Sequence, residues 1–264
     1  MWHNLADLFR FRGLIRTLVA RELKARYRGS VLGFFWSFVN PLLLLSVYTF
    51  VFTTILQNAD TTTRPYAIFM FSGLLPWTWF STSLLEGASS LMAGGNLIKK
   101  VLFPAEVLPI VSVLSNLVHF LFGLLILAGF MIFYQRSPDW LALAWLPVIM
   151  LLQVVFTAGL ALLLSAISAH FRDIPPLLGN ILTFWFFATP IIYPYTMPAV
   201  ADYKWFFRFN PFYHFAVSYQ ELLFFPGPFG HLADLPAMAG MSAVTFLAGY
   251  WVFDRLRDSF AEVV

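Results

Sequence analysis

Four cations lie within eight residues near the start of the chain, at Arg21, Lys24, Arg26 and Arg28. Such groups bind phosphate and diphosphate through charge-assisted hydrogen bonds. The residues that follow, 34–52, are mostly apolar and need hydrocarbon around them. The cluster therefore either anchors a membrane boundary or also attracts a lipid diphosphate to it, and both interpretations stay open.

A second candidate is the segment GGNLIKKVLFP at 94–104, where two glycines interrupt an apolar helix and a proline closes the segment. One face of the short helix predicted here is apolar and consists of Leu97, Ile98, Val101 and Leu102. Two basic residues point elsewhere, namely Lys99 and Lys100. An apolar face outside the hydrocarbon favours a partner protein, although the same face could simply lie on lipid.

The connection at 195–235 is unusually rich in aromatic rings. Asn210-Pro211 predicts a helix N-cap followed by proline at the first helical position, and this helix should end before Pro226. The rings predicted to form an outer aromatic gate are Trp205, Phe206, Phe209, Phe212 and Tyr213. They could form only an interfacial aromatic belt, or they could also stack on sugars and close the outer end of a conduit.

Several kinds of chemistry are absent from the sequence. There is no cysteine, no GxxxxGK[ST] phosphate loop and no HExxH motif, so the chain offers no thiol chemistry and no nucleotide hydrolysis by that loop. His119 is either a proton relay or a packed, hydrogen-bonded side chain. Glu86 and Glu106 lie near predicted span ends, where they are either functional or simply reach water.

The composition is that of an integral membrane protein. Hydrophobic residues make up 60% of the 264, charged residues only 11%, and mean hydropathy is +0.77. Soluble domains carry about 25% charge. The net charge of +3 does not indicate nucleic-acid binding, because the basic residues lie at predicted membrane boundaries.

Six stretches are long enough to cross a bilayer, which takes about 20 apolar residues. We place them near 32–56, 66–91, 106–134, 142–169, 176–194 and 236–253. Pro190 should kink the fifth. The predicted fold is thus an all-α membrane protein of six spans forming a single domain over residues 1–264.

The distribution of Lys and Arg sets the orientation. With the N-terminus inside, the far side holds only Arg64, Arg136, Lys204 and Arg208. The cytoplasmic side holds the other 12 of the 16, which are Arg10, Arg12, Arg16, Arg21, Lys24, Arg26, Arg28, Lys99, Lys100, Arg172, Arg255 and Arg257. The positive-inside rule therefore predicts both termini in the cytoplasm.

Residues 7–28 have the pattern of an amphipathic helix that lies in the membrane surface, within a cytoplasmic interface region at 1–30. Its apolar positions recur at helical spacing and are Leu14, Ile15, Leu18, Val19 and Leu23. Basic residues occupy much of the rest.

Several longer strings carry a family resemblance. RYRGSVLGFFWSFVNPLLLLSVYTFVF, FMFSGLLPWTWFSTSL, NLIKKVLFPAEVLPIVSVLSNLVHFL and NPFYHFAVSYQELLF resemble the permease subunits of ABC transporters that export polysaccharides. The resemblance is greatest to O-antigen exporter permeases, with teichoic-acid and capsule exporters related. It extends from about residue 10 to the C-terminal end.

The resemblance implies a homodimer of six-span permeases in the bacterial inner membrane, paired with two cytoplasmic ABC ATPase subunits that bind ATP and Mg²⁺. This chain would hold no cofactor and no metal, and it would not be an enzyme. The family's interface helix corresponds to about 10–28, its coupling helix to 94–104 and its outer hairpin helices, re-entrant before the last span, to about 197–226. The implied substrate is a glycan on undecaprenyl diphosphate, moved outward.

Three other functions stay open. An ABC-2 exporter of another substrate, such as teichoic acid, capsule, a drug or haem, is the nearest alternative. An ion-driven carrier would need paired ionisable groups within the spans, and the sequence offers only scattered ones. A membrane-embedded transferase would need a catalytic Asp or His cluster, for which His170 and Asp173 are a weak case.

Overall fold

The computed structural model describes residues 10–26, 28–29, 35–55, 63–99, 103–198 and 202–263. Within these ranges all regular structure is helical and no strand occurs. The all-α prediction is therefore confirmed for the described part of the chain.

The described helices of the first half are α1 Arg12–Arg26, α2 Trp36–Phe50, α3 Tyr66–Ala93, α4 Gly95–Ile98, α5 Val107–Phe133 and α6 Trp140–Leu143. A π-helical turn at Val51–Ile55 continues α2. Those of the second half are α7 Leu146–His170, α8 Ile174–Phe187, α9 Lys204–Phe209, α10 Pro211–Leu223, α11 Leu235–Leu256 and α12 Phe260–Val263. Turns of 3₁₀ helix at Gly230–Asp234 and Arg257–Ser259 flank α11.

Four helical segments among the described residues are long and apolar enough to cross a membrane: α3, α5, Trp140–His170 and Gly230–Ser259. The 28 residues of α3 extend about 42 Å, against a hydrocarbon thickness of about 30 Å. The apolar helices α2 and α8 have only 15 and 14 residues. The chain is thus a multi-pass membrane protein, and crossing by α2 and α8 stays a prediction.

The predicted kink at Pro190 was wrong. Helix α8 ends at Phe187, three residues before that proline. The Asn210 side chain donates to the carbonyl of Ala188, 3.1 Å away, and to the Thr189 hydroxyl, 2.9 Å away. These bonds satisfy the helix end from outside, so Pro190 lies in the turn that follows and distorts no helix.

Helix α3 is the centre of the bundle and packs against α5, α7 and α10. Its Trp77 and Phe80 rings lie 5.0 and 4.6 Å from the fully buried Phe212 ring of α10. Aromatic pairs at these distances stabilise a core beyond the area they bury. The short helix before the last span is therefore part of the core.

Helices α7 and α11 approach so closely that their backbones touch. A Cβ atom added to Gly249 would collide with the carbonyl oxygen of Gly159, and one added to Gly159 would lie 2.5 Å from the Cα of Phe246. Small residues permit such approaches between membrane helices, where van der Waals packing stabilises association.

Replacing Gly249 with Ala should therefore force the two helices apart and destabilise the protein by about 1–3 kcal/mol, as overpacking does. Thermal unfolding in detergent measures the effect as a lowered Tm. Gly240→Ala is the matched control, because nothing lies within 4 Å of a Cβ added at that position of the same helix. Equal Tm values for the two variants would contradict the close approach.

Candidate functional site

Helix α1 is held against protein. Its apolar stripe packs on the first turns of α5, where Leu18 is 7% exposed and contacts a cluster with Val107 and Val111. Of the predicted helix at 7–28, the structure shows α1 at Arg12–Arg26, and its Leu18 is covered by α5. Burial of this stripe fixes α1 beside the end of the bundle where α5 begins.

The last turn of α1 carries Arg26 into a polar junction. One guanidinium nitrogen, Nη2, lies 2.7 Å from both carboxylate oxygens of Glu86 on α3, and Nη1 donates to Asn116 Oδ1 on α5 at 3.1 Å. Asn116 also donates to Glu86, at 2.6 Å, and to the carbonyl of Ser112, at 2.9 Å. Three helices are thus joined through one guanidinium.

The Arg26 junction is only partly covered, with the side chains of Arg26 and Glu86 25% and 34% exposed. A pair in this position gains less than a fully buried one, yet it leaves neither charge facing hydrocarbon. The sequence places Arg26 among four cations that either anchor a membrane boundary or also attract a lipid diphosphate. The structure instead gives it a carboxylate partner within the chain.

The other three predicted cations differ in position. Arg21 lines a cleft of about 310 Å³ between α1, α3 and α5, together with Glu22, Glu86 and Leu97. Lys24 and Arg28 are exposed to solvent. Arg21, Lys24 and Arg28 therefore remain available to an anion at this end of the bundle.

Helix α4 lies beside this cleft and is a single turn. Gly94 ends α3, as the sequence predicted, and α4 covers Gly95–Ile98. Leu97 is half-buried in the cleft, Ile98 is half-buried against the core, and Lys99 is exposed. The described part of the predicted apolar face is therefore turned largely towards the chain itself.

The rest of that predicted segment, Lys100, Val101 and Leu102, lies outside the described residues. Phe103 and Pro104, which follow, are not helical.

The C-terminal segment supports α4 from another side. Glu106, 3% exposed, pairs with Arg257 at 3.0 Å, and His170 Nε2 lies 2.9 Å from the Ser259 hydroxyl. Phe260 is 1% exposed in a cluster with which Ile98 packs, and α12 contacts α4 directly. The last turns of the chain thus help to hold the short helix in place.

At the opposite end, Asn210 organises the entry to α10. Its Oδ1 accepts from the backbone N–H of Phe212 at 3.0 Å and from the Trp185 indole at 2.6 Å. The predicted N-cap is confirmed, and α10 ends at Leu223, before Pro226. One amide therefore joins the end of α8 to the start of α10.

The five predicted gate rings do not form one surface. Trp205, Phe206 and Phe209 are exposed on α9, whereas Phe212 and Tyr213 are buried in the core. Two of the exposed rings, Phe206 and Phe209, line an apolar groove of about 310 Å³. Only the exposed rings can therefore touch a molecule outside the chain in this arrangement.

Glu221 forms a second polar cluster near the same end. It accepts from the Tyr195 hydroxyl at 3.0 Å and lies 2.7 Å from His231 Nδ1. Burial is the main cause that raises the pKa of Tyr195, and the adjacent Glu221 carboxylate raises it further. The Tyr195 hydroxyl therefore stays neutral and donates its hydrogen bond. These bonds attach α10 to the loop after α8 and to the 3₁₀ turn before α11.

Sequence reasoning missed Asn116, Arg257, Ser259 and Glu221. Asn116 had a usable signal, since an amide in an apolar 27-residue helix needs a partner. No sequence signal pointed to Arg257 as the partner of Glu106, because the two residues lie 151 positions apart in the chain.

Comparison with known proteins gives concordant results. The family described as ABC-2 type transporter matches residues 13–224. The chain is 40% identical over 260 residues, 98% of both chains, to the "O-antigen export system permease protein RfbA" of Myxococcus xanthus. A Klebsiella pneumoniae protein of the same name is 31% identical, covering 100% of this chain and 98% of its own. The "Polysialic acid transport protein KpsM" of Escherichia coli is 21% identical, covering 92% and 93%.

Because the chain has no cysteine, an Ile98→Cys variant can report how firmly α4 is held. A thiol here should react slowly with a water-soluble maleimide, since the position packs against the cluster around Phe260. Adding Arg257→Gln removes the partner of Glu106 and should raise the labelling rate about tenfold, for a loss near 1.4 kcal/mol.

The matched control is Arg172→Gln. It removes an exposed guanidinium two residues after His170, which ends α7 and contacts Ser259. It should leave labelling unchanged. If labelling rates in the Arg257→Gln and Arg172→Gln backgrounds were the same, the C-terminal segment would have no part in holding α4.

Proposed function

The chain belongs to the ABC-2 type transporter family, and from that membership we propose that it is the membrane-spanning subunit of an ATP-driven polysaccharide exporter. Its substrate would be a glycan linked to undecaprenyl diphosphate, moved from the cytoplasm across the bacterial inner membrane. The observation that carries the proposal is 40% identity over nearly the whole chain to a permease named for O-antigen export.

The proposed assembly is a homodimer with two ABC ATPase subunits, which would bind ATP and Mg²⁺. Helix α2 with its π-helical turn covers 20 residues and extends about 30 Å, enough for a span. Both α2 and α8 expose large apolar side chains, including Val47, Phe50, Ile181 and Phe184. A second copy or lipid covering these faces would complete six spans, with both termini in the cytoplasm.

The cytoplasmic end would then receive both the ATPase and the substrate. Docking of the ATPase against α4 would move α3 and α5 together with α1, because the Arg26 junction joins these three helices. Arg21, Lys24 and Arg28 would attract the lipid diphosphate by charge-assisted hydrogen bonds. The glycan would pass between α2 and α8 towards the rings of α9, since ring faces offer weakly directional contacts to sugars.

A different glycan is the second candidate. The relative named for polysialic acid transport is more distant, at 21% identity, but it matches over nearly the whole chain. Export of a capsule-type polysaccharide would use the same cytoplasmic end. An ion-driven carrier is a weaker candidate, since Glu86 and Glu106 both have arginine partners near helix ends.

The test is transport in vesicles that contain the chain and its ATPase. Leu97→Asp replaces a half-buried apolar side chain of α4 by a carboxylate and should lower glycan export per ATP hydrolysed by about tenfold, equivalent to about 1.4 kcal/mol, because the charge disrupts the packing of α4. Asn96→Asp is the control, since it adds the same charge at an exposed position of the same turn. The readouts are labelled glycan moved across the membrane and phosphate released.

Thermal unfolding of both variants separates uncoupling from loss of the fold. Export per ATP that is unchanged in a folded Leu97→Asp protein would remove α4 from the coupling path. Export by the chain alone, without any ATPase, would overturn the proposed function as a whole.

A further inference from the structure

An apolar pocket of about 390 Å³ lies at the end of the bundle opposite the Arg26 junction. It is lined by the last turns of α5, by α6 and the first turn of α7, and by the end of α10. Leu127, Met131, Leu143 and Leu223 contribute to its walls. Its lining is mostly apolar and comes largely from segments long and apolar enough to cross a membrane, which suits an acyl chain.

A cation stands at the mouth of this pocket. Arg136 lines it, and its Nη2 donates to the backbone carbonyl of Arg64 at 2.7 Å. The guanidinium carbon also lies 5.6 Å from the centre of the Phe224 ring. These two contacts orient the guanidinium, and its hydrogen bonds to other described residues use one of its five N–H donors.

Two features place this mouth at the membrane–water boundary. Three aromatic residues flank Arg136 in the sequence, namely Phe133, Tyr134 and Trp140. All three are exposed, as expected of rings in an interfacial belt. The exposed Arg64 has its backbone within hydrogen-bonding distance of Arg136. Two of the four basic residues on the predicted outer side are thus neighbours, although the positive-inside rule disfavours such residues there.

We propose that this pocket binds an anionic phospholipid, with one acyl chain between α5 and α7 and the phosphate at Arg136. An apolar cavity beside an oriented guanidinium matches the two halves of such a lipid, and a charge-assisted hydrogen bond would select its head group. The site shares no lining residue with the cleft beside α4 or with the groove lined by α9. Its lipid would therefore be a bound component of the protein rather than the exported substrate.

The experiment measures lipid retention by native mass spectrometry and thermal unfolding of the purified protein in detergent. The probes are phosphatidylglycerol and phosphatidylcholine with the same acyl chains. The wild type should retain phosphatidylglycerol and gain several degrees in Tm from it, with little effect of phosphatidylcholine. Arg136→Gln should weaken phosphatidylglycerol retention about tenfold, the loss of one charge-assisted hydrogen bond.

A second variant tests the acyl-chain half of the site. Ala128 lines the pocket, so Ala128→Trp should fill it and abolish retention of phosphatidylglycerol. Matched controls are Arg208→Gln, another exposed arginine at this end, and Val244→Trp, an exposed position on α11, which should both bind as the wild type does. Arg136→Lys should keep part of the selectivity for the anionic head group, which a purely structural role of Arg136 would not produce.

Three results would overturn the proposal. The first is undiminished retention of phosphatidylglycerol by Arg136→Gln, and the second is equal retention of both lipids by the wild type. The third is a change of oligomeric state, rather than of lipid content, in Ala128→Trp, which would assign the pocket to a contact between copies of the chain.

Discussion

The guanidinium of Arg26 supplies the interaction on which the rest of this structure depends. In a chain with 11% charged residues, it joins a carboxylate on α3 and an amide on α5 to the end of α1. An unpaired Glu86 or Asn116 near the hydrocarbon would cost free energy, so each partner satisfies the others. The same bonds fix α1 across the end of the bundle, where Arg21 lines the cleft and Lys24 and Arg28 are exposed.

The structure separates a buried aromatic core from the short helix α4. The core around Trp77, Phe80 and Phe212 is fully packed and joins α3 to α10. Helix α4 is one turn long, too short to hold its own position, and it contacts α3 and the C-terminal helix α12. A force applied to α4 would therefore reach α3 directly, and α5 through the packing of α3 against α5.

Residue type and spacing predicted the features of the fold that depend on neighbouring residues in the chain. The N-cap at Asn210, the helix break at Gly94 and the long apolar helices follow from residue type and spacing alone. Partner choice does not, since Arg26 pairs across 60 positions and Arg257 across 151. The sequence pattern predicted Phe212 as part of an outer gate. Its burial follows from the packing of α10 on α3, which the pattern does not reveal. The predicted kink at Pro190 was wrong because α8 ends before this proline, where Asn210, 20 positions further along the chain, bonds to the helix end.

The most direct test of this account is a double-mutant cycle on Arg26 and Glu86. Unfolding free energies in mixed micelles would be measured for the wild type, Arg26→Gln, Glu86→Gln and the double variant. We expect a coupling energy of about 1 kcal/mol, with the double variant less destabilised than the sum of the two single ones. Strictly additive effects would contradict the account, because they would show that the guanidinium and the carboxylate do not hold α1 and α3 together.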